Sequence, residues 1–143
     1  MRNAAPLIAG VLVLVAAACG DRKRLPTEPG GGGPDPSATF TRVQGEIFAV
    51  SCALSGCHTG SAPAGGMDLS PSAAYGSIVN VPSSERSDLM RIDPGRPEGS
   101  YLIKKLRGDP DISGSRMPLN GSPLGPDRIQ LVTDWVLRGA PRD

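Results

Sequence analysis

Apolar residues recur at helical spacing in four short stretches of the chain, and the segments between them show no sustained strand-like alternation. From Thr39 to Cys52, Phe40, Val43, Ile47 and Phe48 fall along one face of a first helix. A second helix is expected after Ser70, where Ser70-Pro71 supplies an N-cap and an N1 proline ahead of Tyr75, Ile78 and Val79 as buried positions. The third starts near Ser100 and carries Tyr101, Leu102, Ile103 and Leu106 to Gly108. The fourth has Gly125 as its cap, Pro126 at N1 and Asp127 against the positive end of the helix dipole. Ile129, Val132, Trp135 and Val136 form its apolar face, and Gly139 ends it. Gly and Pro fill the connections, so the pattern predicts a mainly α domain of about four short helices with long loops.

One apolar run belongs to none of these helices. Leu7 to Val15, broken only by Gly10, follows Arg2 and closes on Ala16-Ala17-Ala18 before Cys19. At roughly a dozen apolar residues it is too short to span a bilayer, and it reads as a secretory signal over residues 1–18. Small residues directly before a cysteine resemble a bacterial lipobox, which implies that Cys19 becomes a diacylated N-terminus after cleavage. The alternative is ordinary cleavage with Cys19 left as a stray thiol. Residues 19–38 are expected to be a linker, since four successive glycines among prolines cannot bury a core. Gly20 to Ser37 would act as a tether with a reach of about 25 Å. One domain, residues 39–143, follows without internal repeats.

Charge narrows the partners only by exclusion. The chain holds 15 basic and 14 acidic side chains, and losing Arg2 with the leader leaves 14 of each. A neutral chain with five aromatic residues and no basic stripe argues against nucleic-acid binding. The same scarcity of aromatics, two Phe, two Tyr and one Trp, makes for a meagre core. Another apolar body is expected at the centre.

The run Cys52-Ala-Leu-Ser-Gly-Cys57-His58 names a candidate for that body, because it holds two thiols and the only histidine. Two cysteines followed at once by histidine is the arrangement that attaches a c-type haem, with the thiols as thioethers and the imidazole as proximal iron ligand. The common spacing has two residues between the cysteines, and here there are four. A local disulfide with a surface histidine is the competing reading, since a six-residue loop can close that way and export permits it. Zinc is disfavoured because a tetrahedral site needs four ligands and three are near one another here; copper held by Cys, His and Met117 is a further alternative.

A second axial ligand must come from methionine. Met117 lies in Arg116-Met117-Pro118-Leu119, where the proline stiffens the backbone and removes a competing donor. Met67 and Met90 are expected as core filler. Lys104, Lys105 and Arg107 form a basic run read as a solvated face, with a role toward haem propionates or a redox partner as the alternative. The carboxylates show no pairing that points to acid–base catalysis.

The order helix, Cys-Cys-His, Met-Pro loop and last helix with Trp resembles class I cytochromes c, and more specifically the planctomycete-type small c-type cytochrome domain. Phe48 to His58, Gly65 to Ser70, Pro94 to Leu102, Arg116 to Pro118 and Trp135 to Ala140 carry the resemblance over nearly the whole domain. It implies one covalent haem c on Cys52 and Cys57, with His58 proximal and Met117 distal. It also implies terminal helices packed crosswise, with Phe48 and Trp135 near their contact. The expected function is a monohaem cytochrome lipoprotein of the cell envelope. It would pass single electrons between redox partner proteins from a membrane anchor and would not act as an enzyme. Two alternatives stay open. One is a haem-free module stapled by Cys52–Cys57, with a structural or ligand-binding role. The other is a haem with open iron for sensing or peroxide chemistry.

Overall fold

The computed structural model describes residues 33–143. The expected signal peptide, Cys19 and most of the linker lie outside the described residues. Folded contacts begin before Thr39: Ala38 is fully buried, and Arg138 donates to its carbonyl at 2.6 Å. Ala38 thus packs with the residues that follow it.

Four short helices are present, and the described residues contain isolated bridges but no strand. α1 (Phe40–Val43) is capped by Thr39, whose hydroxyl accepts from the Arg42 N–H. It runs directly into a π-helical segment, Gln44–Cys52, so the single helix expected over 39–52 has a widened second part. The Ala53 N–H reaches back five residues to the Phe48 carbonyl at 2.7 Å and closes this segment. Phe40, Val43, Ile47 and Phe48 are all buried, as their spacing predicts.

α2 (Ala74–Ile78) starts later than Ser70-Pro71 suggests. The Ser70 N–H is taken by the Asp68 carboxylate, and the Ser70 main-chain carbonyl, not its side chain, accepts from Ala73 and Ala74. Ser70-Pro71 thus opens a lead-in turn. The late start makes Ala74 and Ile78 the buried pair, one helical turn apart, and leaves Tyr75 and Val79 half-buried. Between α2 and α3 the chain is held by single bridges, Val79 to Ile92, Pro82 to Met90 and Met90 to Ser100.

α3 (Tyr101–Arg107) stops at Gly108, which takes the left-handed conformation at φ 76. α4 (Pro126–Leu137) opens on an extended Gly125 with Pro126 in its first turn. α1 and α4 meet through Phe40 and Trp135, with ring centroids 5.6 Å apart. Tyr75 adds an edge-on contact to Phe40 at 5.2 Å. Phe40, not Phe48, is thus the aromatic partner of Trp135. Phe48 lies two turns further on, where the ring borders a cavity.

The C-terminal tail closes this end. The Trp135 indole donates to the Pro141 carbonyl, and the Tyr75 hydroxyl donates to the Ala140 carbonyl, both at 2.9 Å. Asp143 accepts the Phe40 N–H at 2.8 Å and pairs with Arg138.

Candidate functional site

The π-helical segment, the loop after it, α3 and the loop leading to α4 border an open cavity of about 590 Å³. That volume lies within the roughly 300–1,000 Å³ of small-molecule and cofactor sites. Its walls are mostly apolar, from Phe48, Leu69, Leu102, Leu106 and Leu124 among others. Cys52, Cys57, His58 and Met117 all border it. The four residues singled out by motif and spacing are thus brought to one place, though Met117 stands 59 positions after His58 in the chain.

Local backbone bonding explains how the cysteine loop reaches the cavity. Cys52 closes the π-helical segment, and the next residues turn back: the Cys57 N–H donates to the Leu54 carbonyl at 2.9 Å, with Gly56 at φ 78. The His58 N–H then donates to the Cys52 carbonyl at 3.2 Å. The four intervening residues are absorbed by this turn, so the long spacing still returns the chain to its starting point. Both Cys52 and Cys57 are free thiols. Burial pushes the Cys52 thiol up to about 11, with Cys57 adding to the rise, so it stays protonated near neutral pH. Cys57 is exposed at the rim.

His58 is half-buried, and its Nδ1 lies 3.0 Å from the Ala64 carbonyl. A carbonyl oxygen can only accept, so Nδ1 is the donor here, and in the neutral tautomer this selects Nε2 keeps the lone pair. Such a bond to the second ring nitrogen is how proteins orient a metal-ligating imidazole. The acceptor is itself held. Ala64 donates to the Cys57 carbonyl at 2.9 Å, and the Arg91 guanidinium donates to Gly65, Gly66 and Ser77 carbonyls at 2.8–3.1 Å. Gln44, buried in the π-helical segment, donates to the Leu69 carbonyl, while the Leu69 N–H donates to the His58 main-chain carbonyl.

Met117 is half-buried and enters from the far side of the chain, its N–H donating to the Lys105 carbonyl on α3 at 2.9 Å. Met67 also borders the cavity, but it rides on the loop that holds the His58 ring, with its N–H on the Ala64 carbonyl at 3.2 Å. Met90 does not line the cavity and is 37% exposed, so it is not core filler. Its main chain is occupied by bridges to Pro82 and Ser100.

The basic run of α3 is not a free solvated face. Lys104 pairs with Asp111 at 3.0 Å, Arg107 with Glu98 and Asp109 at 2.8 Å each, and Lys105 with Glu85 at 3.0 Å. Glu98 and Asp109 hold the Arg107 guanidinium well above its ordinary range. Glu85 loses some water on packing, which opposes its charge. Hydrogen bonds from Lys105 and Tyr101 outweigh this and hold the carboxyl below its usual value. Glu85, Lys105, Tyr101 and Arg91 help to line a smaller cavity of about 130 Å³ that shares His58 and Met117 with the larger one.

Ala64, Arg91, Gln44 and the Glu85–Lys105 pair had no signal in the sequence. Ala64 and the carbonyls that Arg91 grips act through main-chain atoms, which residue identity does not report. Among the described residues no three His, Cys, Asp or Glu side chains are grouped so as to hold a metal ion. No helix of the described residues is long and apolar enough to cross a membrane. No family model, curated protein or solved structure matches this chain.

Proposed function

We propose that residues 39–143 form a class I c-type cytochrome domain holding one haem, exported and lipid-anchored through Cys19, that carries single electrons at the cell envelope. The observation that carries this reading is the cavity. Two thiols, an imidazole with its Nδ1 already committed, and a thioether from another part of the chain border one apolar space of cofactor size. That donor set fits a covalently attached porphyrin, because two thiols, an imidazole and a thioether border an apolar space far larger than a single ion needs.

When bound, the haem supplies a one-electron iron couple. The chain does the rest. Cys52 and Cys57 provide the two sulfurs for thioether attachment, and the turn at Leu54–Cys57 brings them back together. His58 offers Nε2 while Ala64 holds the ring's tautomer. Met117 is the better second ligand than Met67, since Met67 is carried by the same loop as the His58 support. Phe48, Leu69, Leu102 and Leu106 exclude water, which favours electron transfer without substrate chemistry.

The test is a reduced-minus-oxidised spectrum with a denaturing haem stain, on the full chain exported from cells that mature c-type cytochromes. A sharp α-band surviving denaturation is expected, and His58→Ala should abolish it. A colourless, folded protein lacking free thiols at Cys52 and Cys57 would overturn the reading in favour of a disulfide-stapled module. Carbon monoxide should bind the reduced protein poorly; ready binding would mean an open iron and a sensor or peroxidase role.

A further inference from the structure

Lys105 is an unusual residue for the inside of a helix face. Its side chain is 9% exposed, yet it carries an ammonium group. Burying that charge is costly unless its protons find acceptors. Its acceptors are Glu85 Oε2 at 3.0 Å and the Ser113 carbonyl at 2.7 Å, with the Tyr101 ring 5.9 Å away. The Tyr101 hydroxyl donates to the same Glu85 oxygen at 2.9 Å and accepts the Ser113 N–H at 2.8 Å. Ser113 is therefore gripped at both its N–H and its C=O by two α3 side chains that share one carboxylate.

Four residues further on the same loop reaches Met117. Between them Gly114 and Ser115 are exposed, and Arg116 and Met117 return to α3 through the Leu106 and Lys105 carbonyls at 2.8 and 2.9 Å. The loop touches α3 at its start and its end and is free between. With Ser113 released, Lys104 and Arg86 would still hold Asp111 upstream, and only the Arg116 and Met117 attachments would remain beside the Met117 side chain.

We infer that Lys105, acting with Tyr101 and Glu85 through Ser113, is a positioning residue that sets where the Met117 thioether enters the cavity. The inference rests on the haem reading above. Its consequence is that Lys105 controls the closed state of the iron without touching the haem attachment on Cys52, Cys57 and His58. Weakening a charge-assisted buried bond shifts a closed–open equilibrium by about ten-fold.

The experiment compares wild type, Lys105→Leu, Tyr101→Phe and the comparison variant Lys104→Leu as full-length exported proteins. Lys105→Leu leaves an apolar side chain and adds no sulfur to the cavity that Lys105 borders, and Tyr101→Phe removes one hydroxyl from a buried ring. In wild type, covalent haem stain and the weak sulfur-to-iron absorption of the oxidised protein are expected. Lys105→Leu should keep the stain, lose that absorption, lower the potential and raise the carbon monoxide-reactive fraction about ten-fold. Tyr101→Phe, which does not border that cavity, should move all three readouts the same way by less, and decides the matter alone if Lys105→Leu does not accumulate. Wild type without haem stain would overturn the haem reading itself. A Lys105→Leu protein with wild-type absorption, potential and carbon monoxide binding would overturn the positioning role. Equal shifts in Lys104→Leu would also overturn it, by assigning the effect to general anchoring of the loop, since Lys104 holds Asp111 on the same segment.

Discussion

The two ends of the first helical stretch meet different surroundings. At Phe40 the helix is closed in by Trp135, Tyr75 and the returning C-terminal tail. At Phe48 and Cys52, about two turns later, the same face borders a cavity of about 590 Å³. Three of the five aromatic rings are spent on the closed end; of the other two, Tyr101 borders the smaller cavity and Phe48 lines the larger one with aliphatic side chains. The difference teaches where this small domain finds its apolar volume. One end is self-sufficient, while the other is shaped around a space that a large apolar body would fill.

Removing the indole should damage the closed end most. Trp135→Ala deletes a fully buried ring and its bond to the Pro141 carbonyl, and should cost about 3–5 kcal/mol by urea unfolding. A loss under about 1 kcal/mol would mean that this end does not anchor the fold, and the comparison would break. On the cavity side, Gly108 ends α3 at φ 76, and a Cβ there would lie 2.8 Å from the Arg116 side chain. Gly108→Ala should cost about 1–2 kcal/mol and disturb the Arg116–Leu106 bond just before Met117. Thermal melts with the haem stain of the same samples would show whether the cavity side yields before the closed end.

The smallest expected effect is a pH dependence at the closed end. The Phe40 N–H that Asp143 accepts holds its carboxyl below the ordinary value of 3.8; partial loss of water works against this, and Arg138 reinforces it. A depressed folded-state value means that its contribution is complete above 3.8 and fades as pH falls through the lower folded value. Asp143→Asn should therefore lose this small contribution at neutral pH, converge on wild type at low pH, and so flatten the acid limb of stability below about pH 4. Other lowered carboxyls, such as Glu98, will preserve part of that limb. An unchanged acid limb in Asp143→Asn would show that the tail clasp does not couple to folding.

Helix content was largely legible because it depends on local spacing. Phe40, Val43, Ile47 and Phe48 repeat with helical period, and Pro126 and Gly139 mark where α4 opens and closes. The start of α2 was not legible, because Asp68 and not the helix claims the Ser70 N–H. The π-helical widening from Gln44 to Cys52 leaves no mark on apolar spacing over so short a run. At the site, Cys52, Cys57, His58 and Met117 stood out because their side-chain chemistry is rare in this chain. Their supports did not, since the Ala64 carbonyl could belong to any residue and Arg91 looks like any surface arginine.

By itself, then, the sequence determined a mainly helical domain and the identity of the sulfur and imidazole groups, since both follow from neighbours within a few positions. Only the tertiary structure decided that Met117 borders the same cavity as His58, that Phe40 and not Phe48 meets Trp135, and that Lys105 is buried against Glu85. Those outcomes depend on which distant segments pack together, and that is set by the summed burial of the whole chain rather than by any local pattern.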